Sequence, residues 1–224
     1  MNYDLLLAIV FYIIVYALVI FYRDRFVFQS KIFVMYKTKL GLVSMDKFSK
    51  RFKCILRPLG HVGTFVGFVG MIGMFFILGK GVLNLLVKPG APPAVAPVLP
   101  GVELVPGLPK LSFWHWILAI LIIAVVHEFS HGIYARLHKV KIKSSGFALI
   151  GPIFAAFVEP DEKKLAKKSK AAQLSVLAAG PFSNIIFGLL IMLIGAYVLV
   201  PVAGSFVSVE GYKIMEYKEG YPIH

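Results

Sequence analysis

The sequence predicts an all-α polytopic membrane protein: about four transmembrane helices with short membrane-associated β segments between them. Three observations carry this prediction. Of the 224 residues, 58% are hydrophobic and the mean hydropathy is +0.81, whereas a soluble domain has about 45–50% apolar residues. The apolar residues gather in four runs near the length of about 20 residues that crosses a hydrocarbon core of about 30 Å. The 24 Lys and Arg, against 11 Asp and Glu, fall mainly in two blocks between those runs. Basic blocks between apolar runs are what cytoplasmic loops look like. They speak against a nucleic-acid groove, and no nucleic-acid partner is expected.

The elements follow in chain order. The first span is read at 5–22, in MNYDLLLAIVFYIIVYALVIFYRDR. Its basic residues come after the apolar run, with no basic leader and no small-residue cleavage site. It therefore reads as a retained helix with its N-terminus outside, not as a signal peptide. FVFQSKIFVMYKTKLGLVSM (26–45) has β-branched and aromatic residues on both sides of the polar Lys37-Thr38-Lys39, and reads as a hairpin turning there. The second span, 60–86, opens with GHVGTFVGFVGMIGMFFILG and crosses Lys80. The stretch 88–110, KPGAPPAVAPVLPGVELVPGLPK, is rich in proline and reads as an extended spacer.

The third span, 111–136, begins LSFWHWILAILIIAVV. Trp114 and Trp116 flank His115, which places that histidine in an interfacial aromatic belt with no chemistry expected of it. GFALIGPIFAAFVEP (146–160) is too short to span and is broken by Gly151-Pro152. It reads as a re-entrant or interfacial extended segment, of the kind tolerated only against protein or a wet cavity. Membrane-surface loops are the plainer alternative for this segment and for 26–45. The fourth span is read at 171–200. Cys54 is the single cysteine, so no internal disulfide forms.

Loop charge sets the orientation. Residues 23–58 hold ten Lys/Arg and two Asp, and residues 136–170 hold nine Lys/Arg. The 87–110 loop has only Lys88 and Lys110, and the tail only Lys213 and Lys218. The positive-inside rule puts both basic loops in the cytoplasm, and both termini and the proline-rich loop outside.

Inside the third span stands AVVHEFSHGIYAR (124–136). His127 and His131 are four apart, so they share one helix face and can offer ring nitrogens to one Zn²⁺. Glu128 lies beside them, close enough to take a proton from a water at the metal. H-E-x-x-H is the helical metalloprotease pattern for that reason. Zinc lowers the pKa of a water to about 7 and polarises the scissile carbonyl, while the carboxylate serves as general base. The same pattern also arises by chance on solvated helices. The setting separates the two readings: an ionisable group in mid-membrane costs about 2.5–3.5 kcal/mol on insertion scales. Such groups persist where they face a polar interior and bind something. At 1.5 Å per residue His127 lies about 24 Å along the helix from Leu111, in the inner half of the bilayer.

In the fourth span Ala178, Ala179, Gly180 and Ser183 make a small-residue face on which the third helix can approach closely near the metal. Asn184 is polar within that span. It either hydrogen-bonds a metal ligand or substrate backbone, or ties two helices together. His61 and His138 read as interfacial side chains, not ligands.

These residues resemble the site-2 protease family, the intramembrane zinc metalloproteases (peptidase M50-like). The resemblance rests on VVHEFSHGIYAR (125–136), FVEPDE (157–162) and AAGPFSN (178–184), and extends from about residue 26 onward. It implies a zinc endopeptidase that hydrolyses peptide bonds within transmembrane segments of membrane-protein substrates, in the lipid bilayer, as in regulated intramembrane proteolysis. Glu128 is then the catalytic residue, and His127 and His131 the metal ligands. The tail SFVSVEGYKIMEYKEGYPIH (205–224) is similar to the opening of a PDZ-like domain, with a disordered tail as the alternative. The division is then a core over 1–205 and the start of that domain over 206–224.

The family's third zinc ligand is an aspartate of a later helix. Here the aspartates are Asp4, Asp24, Asp46 and Asp161, none of them in a helix after the motif. The resemblance therefore implies an N-terminal fragment that ends before the third ligand, with no activity expected of the fragment alone. Three rivals remain. A transporter could use His127, Glu128 and His131 as a proton relay, though no inverted repeat is visible. A metalloprotease of another class could use a glutamate as third ligand. An inactive relative could serve as a membrane scaffold.

Overall fold

A computed structural model of the chain describes residues 3–28, 30, 33–88, 90, 93–96, 98, 100, 111–151 and 153–206. Four of its helical stretches are long and apolar enough to cross a membrane: Asp4–Phe21, Lys53–Val87, Phe113–Leu137 and Lys170–Ser205. A four-stranded antiparallel sheet accompanies them, more β-structure than the short segments expected. The chain divides into two compact units after Ile185.

In the first unit, α1 (Tyr3–Phe21) leads through a 3-10 turn at Arg23–Arg25 into β1 (Val27–Phe28) and β2 (Phe33–Thr38). The hairpin expected over 26–45 exists, but Lys37 and Thr38 lie within β2 and the reversal falls between Phe28 and Phe33. The polar side chains that imitate a turn are used across the sheet. Lys37 Nζ donates to Glu159 at 2.9 Å, and the Thr38 hydroxyl donates to the Ser145 carbonyl at 2.9 Å. Gly41, in the left-handed region at φ +77°, ends the extended run and opens α2 (Leu42–Arg51).

α3 (Lys53–Val87) has 35 residues and starts earlier than the apolar run predicts. It contains Pro58, which withdraws the N–H that the Cys54 carbonyl would accept. α4 (Phe113–Leu137) opens with a free backbone donor, the Phe113 N–H, which Asp4 Oδ2 of α1 accepts at 2.8 Å. A carboxylate there complements the positive end of the helix. The expected re-entrant segment is a β-hairpin: β3 (Ile142–Ile150) and β4 (Ile153–Pro160), reversing at Gly151 with φ +58°. The Tyr16 hydroxyl donates to the Gly151 carbonyl at 2.9 Å and ties the hairpin tip to α1. Strand order is β1-β2-β3-β4, so β3 is interior and β4 is an edge. At the other end of the sheet, the Ser144 hydroxyl (2.6 Å) and Lys37 hold the Glu159 carboxyl below the usual carboxylate range.

After α5 (Glu162–Ala166), capped by Asp161 Oδ1 accepting from the Lys164 N–H, comes α6 (Lys170–Ile194). The core joins α2, α3, α4, β3 and α6 through Met45, Leu56, Ala135, Ile142 and Val176, among others. Glycines bring α3 close to its neighbours: a Cβ on Gly60 would lie 2.9 Å from Tyr134 Cε1, and one on Gly63 2.8 Å from Phe182 Cδ1. Small residues at helix contacts are the usual means of close packing in lipid.

The second unit continues α6 from Ile186, passes through a π-helical turn at Gly195–Leu199 and ends in α7 (Val200–Ser205). Pro201 lacks an N–H and crowds the carbonyl four residues back, and a wider turn before it accommodates that. The PDZ-like reading of the tail lies outside the described residues, which stop at Phe206.

Candidate metal centre

His127, Glu128 and His131 lie one turn apart on α4, fourteen or more residues past its start. Their donor atoms are all within 4.8 Å of one another, and all three side chains are half-buried. Both imidazole Nε2 atoms converge on one point of α6. A Cβ on Gly180 would fall 2.5 Å from His127 Nε2 and 2.5 Å from His131 Nε2. Gly180 is buried, and the next residue is Pro181, which removes the donor for the Leu177 carbonyl and loosens the helix there. The missing side chain is the space into which both rings point.

The rings are held from behind by α6. The Val176 carbonyl lies 2.6 Å from His131 Nδ1 and can only accept, so the proton is on Nδ1 and Nε2 keeps its lone pair. Asn184 Nδ2 lies 3.1 Å from His127 Nδ1, and Asn184 Oδ1 is buried without a partner. A half-turn of the amide satisfies both: Oδ1 accepts from Nδ1–H, and His127 Nε2 is freed in the same way as its neighbour. Such outer partners are what orient metal-binding histidines. The site thus fits a zinc ion: two imidazoles with lone pairs directed at one point, and a cradle that a Cβ would fill.

Glu128 is held differently. Its Oε2 accepts the backbone N–H of Val158 on β4, at 2.9 Å. No side-chain pattern in the sequence announces a backbone donor, so this partner was not foreseeable. The bond also fixes which way β4 faces. If Val158 points its N–H away from β3, alternation turns Phe154 and Ala156 outward as well, and Ala155 and Phe157 toward β3.

The remaining polar residues have other partners. The expected small-residue face is divided. Gly180 meets the histidines, Ala178 lies where a Cβ on Gly67 of α3 would touch it at 3.7 Å, and the Ser183 hydroxyl donates to the Gly180 carbonyl. His138 is not a loose interfacial side chain: its Nε2–H donates to Ser175 Oγ at 2.7 Å, tying the end of α4 to α6. Burial, then Arg57, Lys168 and His61, lower its pKa. His61 and His115 are exposed. Asp4 and Asp161 cap helices, and Asp46 pairs with Lys50 at 2.6 Å. Among the described residues no further His, Cys, Asp or Glu joins the three.

Comparison with known proteins bears on this arrangement. The family model described as Peptidase family M50 matches residues 115–219, a stretch that begins in α4 and includes the whole cluster. That stretch is an M50 domain, the domain of the site-2 proteases. Over 201 residues it is 35% identical to an uncharacterized protein of Methanocaldococcus jannaschii, covering 83% of this chain and 50% of that protein. The chain thus spans about half the length of that relative. No solved structure matches it. Four apolar helices, two of them within the M50 match, make this a multi-pass membrane protein, and members of that peptidase family are generally metallopeptidases.

Proposed function

We propose that the protein is an intramembrane zinc endopeptidase that cuts within transmembrane segments of membrane-protein substrates. The observation that carries this reading is the convergence of two imidazole lone pairs over Gly180, with a carboxylate within 4.8 Å, on a helix apolar enough to lie in a bilayer. His127 and His131 would hold the metal. Zinc, when bound, supplies Lewis acidity to the scissile carbonyl and to a water molecule. Catalytic zinc sites usually have three protein ligands, and among the described residues these two histidines are the ones that converge.

Glu128 does the proton work. The Val158 N–H steadies Oε2, and the other oxygen takes the proton of the attacking water and returns it to the leaving amine nitrogen. Val176 and Asn184 fix the ring orientations from behind. The substrate must unwind before any of this, because a helical peptide bond is shielded by its own hydrogen bonds. Once unwound, its backbone groups need partners, since unpaired ones in lipid cost several kcal/mol each. The outward groups of Phe154 and Ala156 on the β4 edge offer them by strand addition. Phe147–Ile150, the strand before it, is interior and paired on both sides, and so offers no edge.

The test is Glu128→Gln in the full-length gene product. Cleavage of a helical substrate should fall by about 10²–10⁴-fold while zinc content stays at the wild-type level. His127→Ala and His131→Ala should each lower zinc content. Loss of zinc in Glu128→Gln, or cleavage retained by it, overturns the assignment.

A further inference from the structure

A cavity of about 240 Å³ is lined in part by Glu128 and by neither histidine nor Gly180. Its walls are α4 (Val125, Phe129), the Leu40–Gly41 turn with Met45 of α2, and β4 from Ala156 to Val158. Apart from the Glu128 carboxylate, its lining is apolar or already satisfied: the Ser145 hydroxyl donates to the Leu40 carbonyl at 2.6 Å. We propose that this cavity is a substrate subsite that takes one apolar side chain from a residue next to the cleaved bond. The inference rests on the peptidase reading above and deepens it.

Three features fix the occupant. The first is continuity, since Glu128 belongs both to the histidine cluster and to the cavity wall. A group in the cavity is therefore beside the base. The second is the strand edge. Val158 gives its outward N–H to Glu128, so that donor is not open to a partner strand. An added strand pairs at Phe154 and Ala156 and loses its next ladder bond where the cavity begins. The residue at that point has its backbone beside the base and its side chain over the cavity. The third is size. At about 240 Å³ the space lies below the roughly 300–1,000 Å³ usual for whole small-molecule ligands, and a helix of about 10–12 Å diameter does not enter it. A single Leu, Met or Phe side chain does.

Val125 is the residue on which to test this. It is exposed, lies three residues before Glu128 on the same helix face, and touches neither histidine nor the β4 backbone in any hydrogen bond. Val125→Phe fills the cavity and Val125→Ala widens it. The experiment uses the full-length gene product in bilayers with substrates carrying Ala, Leu or Phe at each residue flanking the cleaved bond. Products are mapped by mass spectrometry. The wild type should prefer Leu or Phe over Ala at one flanking position only. Val125→Phe should reverse that preference by about tenfold or more, the lower end of what a methylene or two in an apolar pocket discriminates, with zinc content at the wild-type level. Val125→Ala should raise the Phe preference. Wild-type cleavage with no position-specific shift in either variant, or an equal loss for all three side chains, overturns the subsite alone. A wild type that binds zinc and cleaves no member of the series overturns the peptidase reading and the subsite with it.

Discussion

At Gly180 the histidine lone pairs, the helix contact and the metal cradle meet in one residue without a side chain. The physical consequence is sharp. Any Cβ there falls 2.5 Å from both Nε2 atoms, closer than non-bonded carbon and nitrogen approach. The methyl group cannot be relieved by a flexible chain end, because Val176 and Asn184 fix both rings from behind. Gly180→Ala should therefore lower zinc content strongly while helical circular dichroism stays at the wild-type level, since alanine favours the helix by up to about 1 kcal/mol over glycine. Zinc at full occupancy in that variant would show that the rings do not converge on this spot. The histidines and Glu128 were legible in the sequence because i, i+4 spacing puts two rings on one face whatever else the fold does. Asn184 was legible only as a polar residue in an apolar span, with its partner left open, since the facing helix is 57 positions away. Val158 was not legible at all, because its contribution is a backbone N–H.

Among the elements, the four spans could be read because each is set by local hydrophobicity and length. Their ends could be read less well: α3 takes in Lys53–Leu59, where Lys53, Arg57 and Pro58 interrupt the apolar run and Leu56 is packed into the core. The sheet is where local reading misled. Lys37 and Thr38 look like a turn until Glu159 and Ser145, more than a hundred residues on, are placed across from them. The register of β4 decides a test that sequence alone would aim at the wrong residue. Ala155 turns its N–H to β3 and Ala156 turns its N–H outward, as the Val158 contact requires. Ala155→Pro should thus break a ladder bond and lower the melting temperature of the protein. Ala156→Pro should leave the ladder and zinc content intact and impair cleavage of a helical substrate. If Ala156→Pro, correctly inserted, cleaves at the wild-type rate, β4 is not the edge on which substrate strands pair.

For the molecule in its bilayer, one number matters: how deep the site lies, and from which side. His127 stands fourteen residues into α4, about 21 Å along it at 1.5 Å per residue. A helix of 25 residues leaves about 15 Å beyond that point, so the cluster is nearer the Arg136 end. That end joins the second basic block, with nine Lys/Arg over 136–170, and the first block, with ten over 23–58, follows α1. Placing both blocks in the cytoplasm satisfies all four spans at once, and it would put the histidine cluster, the sheet and the Val125 cavity in the inner half of the bilayer. A substrate would then be cut toward the cytoplasmic end of its transmembrane helix. The test of this orientation needs no activity. In a Cys54→Ser background, cysteines replacing Lys47 and Lys167 should react with a membrane-impermeant maleimide only from the cytoplasmic side, and one replacing Pro93 only from outside. Labelling of any of the three from the opposite side breaks the four-span arrangement. It would also move the predicted cut to the other end of the substrate helix, because the depth of His127 along α4 does not change when the helix is turned over.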